Sequence, residues 1–380
     1  FRACSRADGE RPVRCDDLRG HAAYTLDETP AKTFHHYAHQ LKGRVHSSSA
    51  RTRPRDDDTD YHPVPLRRET LPPGTVFADP YGHTLMLVRW IPQTARHPGV
   101  LVAADAQPDG SVGLRRFWQG TFVFQPDTDL VGAGFKAARP VRYDADEGRF
   151  HTPPNRALTS YVLPYHRDQY RGDARRFYHR LSRLINPLPL DPERRLVSRV
   201  AALHESVQRR VTSVALGERF MAERRETVDM PHGADIFLTR GPWEDYATPS
   251  RDLRLLLAMD VVTRLITEVK RHPARFGVPP KQRAEVLQRL TERLTRELRR
   301  RTVRYVRSDG SPWILTLGEV MSRQRALEMG YNPNDCVEVR WGAPAGSTER
   351  ETCERRAPAS QRARMQSLRP WFARRTRPVR

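Results

Sequence analysis

Leu71-Pro72-Pro73-Gly74-Thr75-Val76-Phe77-Ala78-Asp79-Pro80-Tyr81-Gly82-His83-Thr84-Leu85-Met86-Leu87-Val88 is the stretch that decides the fold. A Pro-Gly turn launches a short apolar strand, a polar turn follows, and Gly82-His83 opens a second, strongly apolar strand. His83 is then the ionisable residue at the head of a strand built for burial. Further short apolar runs at 75–78, 84–91, 99–103, 113–118 and 121–124 are separated by Gly, Pro and Asp. They predict strands joined by tight turns, with Pro108-Asp109-Gly110 the clearest turn because Pro presets φ and Gly tolerates positive φ.

Outward from this β-rich centre the period changes. Thr29-Pro30 predicts an N-cap and first-turn proline for a short helix over 31–41. The run after Ser47-Ser48-Ser49, over residues 51–60, has no apolar period and reads as an exposed loop. After Pro153-Pro154 the chain turns helical. Asp191-Pro192 starts a long run to about residue 225, and Thr248-Pro249 precedes a helix over 253–271. Residues 282–301 place Val286, Leu287, Leu290, Leu294 and Leu298 on one stripe, which predicts packing against other helices. Residues 313–353 mix short elements. The Arg-rich residues 355–380, interleaved with Trp371 and Phe372, read either as a polyanion-binding tail or as a helix docked by its aromatics. The expected fold class is α+β, a small antiparallel β-rich domain over 1–150 followed by a helical domain over 151–310, a C-terminal segment over 311–354 and a tail over 355–380.

Composition bounds the partners. Across 380 residues the net charge is +21, with 38% hydrophobic residues, 29% charged residues and 31 prolines. That balance favours polyanions such as an anionic cell-wall polymer, nucleic acid or anionic lipid, although 61 Arg against 5 Lys is also what a GC-rich coding sequence produces. No Lys-rich block, RNA-recognition signature or zinc-finger spacing accompanies the charge. No apolar run approaches roughly 18 residues, so no transmembrane segment is expected. The sequence opens at Phe1 without an initiator Met, so we expect a processed or partial chain and infer localisation indirectly. Cys4 with Cys15 and Cys336 with Cys353 form two local pairs, compatible with two disulfides in an oxidising compartment or with free thiols in a reducing one.

His83 suits a general base, since imidazole titrates near neutral pH. The competing reading is a histidine that caps its turn through Asp79. Pro-Gly, strand, polar turn, Gly-His and apolar strand together resemble the histidine segment of papain-like cell-wall cysteine hydrolases of the NlpC and CHAP types, over about residues 66–124. The resemblance implies a papain-like domain, a cysteine nucleophile upstream that attacks an amide carbonyl, and a third residue that orients the imidazole. Carried over by position, His83 is the base, Cys4 in Cys4-Ser5 the nucleophile, and Asp105 the orienting residue, with Gln107 as its rival. Cys4 departs from the family in being followed by Arg6 where a Gly and an apolar helix are expected, and a bond to Cys15 would silence it. Asp79, Tyr81 and Gln107 complete the expected site as substrate-binding positions. The implied function is a peptidoglycan amidase or peptidase, active or degenerate and wall-binding, placed in the periplasm or at the cell surface, with no cofactor. The alternative is a non-catalytic basic subunit of a large organellar assembly, mitochondrial for example, that binds RNA or anionic lipid.

His35 and His39 share a helical face but lack the glutamate of a metalloprotease motif, so no metal is expected there. Asp56-Asp57-Asp58 with Asp60 lacks an EF-hand's glycine and terminal glutamate and reads as an acidic loop. Trp243-Glu244-Asp245-Tyr246 could line a cleft, but reads more naturally as a core anchor between helices.

Overall fold

The computed structural model describes residues 32, 34–36, 39 and 50–376, apart from 58, 81–82, 95–96, 107–111, 120, 127–131, 190, 225 and 238–240. The Pro108-Asp109-Gly110 turn and the Cys4 and Cys15 pair lie outside the described residues.

Pro72 to Thr75 closes the expected turn, with Thr75 N donating to Pro72 O at 3.1 Å. Gly74 takes φ +91 there, a left-handed value that a side chain would strain. From this turn runs β2 (Val76–Ala78), followed by β3 (Thr84–Ile91), β4 (Val100–Ala106) and β5 (Val112–Arg116), each antiparallel to its predecessor. β1 (Tyr61–Pro63) and β6 (Gly134–Ala138) complete a sheet of order β1-β6-β2-β3-β4-β5. Period-2 alternation sends Leu85 and Leu87 of β3, and Leu101 and Ala103 of β4, to one face. There they meet Phe77, Phe122, Phe124 and Phe135 and the apolar stripe Phe177, Leu181 and Ile185 of helix α1 (Ala174–Ile185). Each such side chain, fully buried, contributes about 1.5–3 kcal/mol.

One expected strand is absent, and one strand is unannounced by the sequence. Residues 121–124 form no strand, because Thr121 N and Phe122 N both donate to Trp118 O, at 3.0 and 2.9 Å, and this closes a turn. Their aromatic alternation serves burial against α1, where Phe124 stacks on Phe177. Conversely β6, between β1 and β2, has no apolar run to announce it. Its central Lys136 is fully buried, and the ammonium donates to Thr52 O at 2.6 Å, which ties the segment entering the sheet to its middle. A further hairpin pairs β7 (Arg142–Asp144) with β8 (Arg149–His151).

The helical region follows as expected. Helix α2 (Pro192–Ala222) is capped by Asp191, whose carboxylate accepts from Glu193 N and Arg194 N at 2.7 and 3.1 Å. Next come α3 (Pro242–Tyr246), α4 (Pro249–Arg271) and α5 (Arg283–Arg300). The α5 stripe buries Val286 and Leu290, with Leu287, Leu294 and Leu298 packed partly buried against the same core. A hairpin of β9 (Thr302–Val306) and β10 (Pro312–Thr316) leads to the short helices α6 (Leu317–Ser322), α7 (Gln324–Leu327) and α8 (Val337–Arg340). Cys336 and Cys353 are bonded. The Arg-rich end forms α9 (Ala359–Ala373), docked through Met365, Leu368 and Phe372, with Phe372 stacked on Tyr331 at 4.9 Å. The chain is therefore α+β, an antiparallel sheet followed by a helical region. Among the described residues no helix is long and apolar enough to cross a membrane.

Candidate active site

His83 lies at the head of β3, two residues from Leu85 and four from Leu87, and so shares the core-facing side of the sheet. Register sets Leu85 opposite Asp105 on β4, and Asp105 opposite Gly113 on β5. Asp105 and Arg115 therefore fall on that same side, at the rim of the core. His83 Nε2 bonds Asp105 Oδ1, and Arg115 Nε donates to Asp105 Oδ2. Side-chain exposure is 22% for His83, 4% for Asp105 and 12% for Arg115, so the imidazole alone keeps substantial access to solvent.

Electrostatics follow from this packing. Burial is the largest influence on Asp105 and pushes its carboxyl up. The bonds and charges of His83 and Arg115 outweigh it and hold the group below the usual aspartate range. An ionised carboxylate only accepts, so the bonded Nε2 carries a proton, and in the neutral ring the lone pair is left to Nδ1. That tautomer makes Nδ1 the basic atom of the site. Arg209 of α2 adds a second guanidinium nearby. Burial first and then Arg115 lower it to about 10, against the pull of Glu205 and Asp105.

Asp79 ties His83 from the backbone side. Asp79 N donates to His83 O at 2.8 Å, and the fully buried Asp79 carboxylate accepts from Arg254 Nη2 of α4 at 2.6 Å. Asp79 is thus an anchor between sheet and helices. On the far flank, Arg116 bonds Glu205 of α2, and Trp118 enters the apolar core of the helices.

The structure places His83 against Asp105, with Asp79 N bonded to the His83 carbonyl. Cys4, Tyr81 and Gln107 lie outside the described residues. Arg115, Arg209 and Arg254 were not found by sequence reasoning. Arg115 had one available signal, its parity with Gly113 on the strand paired to Asp105. Arg254, 175 positions from Asp79, had none.

The other candidates lie elsewhere in the fold. His35 and His39 are helical and exposed. Asp56 accepts from Arg53, and Asp57 from Asn155 N, so these acids knit their loop to its surroundings. Trp243 is buried, and its indole donates to Ile236 O at 3.0 Å. Cys336, Glu338 and Cys353 come close enough to hold a metal, but both sulfurs are in a disulfide, and Glu338 already accepts from Ser308 and Thr352. No family model, curated protein or solved structure matches this chain.

Proposed function

We propose that the chain is an amide-bond hydrolase of the papain-like cysteine type that acts on peptidoglycan outside the cytoplasm. The observation that carries this reading is the partly exposed imidazole of His83, with Nε2 on the buried Asp105 carboxylate. An oriented imidazole of this kind takes a thiol proton through Nδ1, leaving thiolate and imidazolium. The thiolate of Cys4 would attack the amide carbonyl. As the C–N bond breaks, the imidazolium returns its proton to the leaving amine, and a thioester remains. Water activated by the same imidazole then cleaves the thioester and restores the thiol. The net charge of +21 favours association with anionic wall polymers, and the Cys336–Cys353 bond suits an oxidising compartment.

The test is incubation of the whole chain with purified peptidoglycan sacculi, following release of new amine groups. The expected result is turnover that falls by about 10²-fold or more in His83→Ala and is lost in Cys4→Ser. No turnover by the parent protein, or equal turnover by Cys4→Ser, overturns the reading.

A further inference from the structure

We infer that Arg115 and Arg254 are positioning residues for His83, one through its ring and the other through its backbone. This rests on the reading of His83 as the base. A general base must present one nitrogen in one direction, and an imidazole on a strand end has two ways to lose that direction, by ring rotation and by movement of the turn that carries it.

The ring is fixed by a carboxylate with both oxygens engaged. Oδ1 of Asp105 takes His83 and Oδ2 takes Arg115, so rotation of the carboxylate would break both bonds together. A lone Asp–His bond leaves the carboxylate plane free to turn. Arg209 sits near Arg115 and Asp105 but makes its own bond to Ser206 Oγ at 2.8 Å, leaving Asp105 Oδ2 to Arg115.

The backbone is fixed by an equivalent relay on the other side of the residue. Asp79 receives Arg254 on its side chain and donates its N–H to the His83 carbonyl. The two relays have the same form, arginine to buried aspartate to histidine, yet they start in different places. Arg115 belongs to the sheet, whereas Arg254 belongs to helix α4. The helical region therefore supports the base as well as contributing positive charge.

A purely structural role, in which each arginine only neutralises a buried carboxylate, makes a different prediction. The experiment uses the full chain with 15N-labelled histidine, the His83 ring signals being assigned from His83→Gln. The parent protein is expected to show an Nε2–H tautomer with a slowly exchanging ring proton. Arg115→Gln should give mixed tautomers and fast exchange, and Arg115→Lys should recover most of the parent signature. For Arg254, hydrogen exchange of the peptide over residues 71–90 is expected to quicken about tenfold in Arg254→Gln and less in Arg254→Lys, with distant helices unchanged.

Thermal unfolding of each variant separates folding from positioning. If Arg115→Gln lowers stability while the ring signature stays as in the parent, or if exchange over 71–90 is unaltered in Arg254→Gln, that residue only balances charge and the inference fails for it. Spectra as expected, together with a parent protein inactive on sacculi, would refute the hydrolase reading and leave the positioning intact.

Discussion

Arg254 Nη2 reaches Asp79 Oδ2 at 2.6 Å across 175 positions of sequence, joining helix α4 to the turn that carries His83. Asp79 is fully buried, so removing Arg254 deletes one half of a buried ion pair. Arg254→Ala is expected to cost about 3–5 kcal/mol. Asp79→Asn combined with Arg254→Ala should recover part of that loss. A double-mutant cycle read by urea unfolding checks both, and additive single losses would refute the coupling.

Asp105 makes stability depend on pH with a definite sign. Its folded value lies below the ordinary aspartate value of about 3.9. The ionised carboxylate therefore adds stability that is complete above that ordinary value and declines as pH falls through it. The contribution is gone once pH is below the folded value. Asp105→Asn should narrow its gap from the parent protein between neutral pH and about pH 3. Denaturant midpoints across that window measure the gap.

Lys136 acts in the opposite range. Burial lowers its ammonium to about 7 from an ordinary 10.5. Between those values the unfolded chain holds the proton that the folded chain has released. Stability from this site therefore rises with pH there, by about 1.4 kcal/mol per unit. Lys136→Met should remove that rise while losing the bond to Thr52 O. Unfolding at pH 7 and pH 9 separates the two variants, and parallel pH dependence would refute the argument.

The fold was legible where side-chain alternation and caps speak locally. Leu85 and Leu87 announce β3, Gly74 announces the turn before β2, and Asp191-Pro192 announces α2. Asp105 was found because its strand follows directly in the hairpin order. What escaped depends on partners distant in sequence. β6 is unreadable by itself because a buried lysine breaks its apolar run, and that lysine donates to Thr52, far away in sequence. Residues 121–124 misled for the reverse reason, since Phe122 and Phe124 are buried by α1 and not by a sheet neighbour. Arg254 is one arginine among 61 until α4 is set against the turn.

The Cys336–Cys353 bond closes a loop with a sequence separation of 17. Cys353→Ser with Cys336→Ser is expected to destabilise the helical region by about 3 kcal/mol. Melting with and without reductant provides the check. The sheet core should be affected less, because neither cysteine belongs to it.

Trp118 leaves β5 and settles among the apolar side chains of the helices, beside the Arg116–Glu205 contact. The consequence concerns inheritance as much as packing. A gene that carried the sheet alone would encode a protein with a bare indole and an aspartate deprived of its arginine, and a gene for the helices alone would encode one with a hole where that indole belongs. Recombination between the two parts would therefore be penalised at once, and the pair is expected to have travelled through evolution as a single unit.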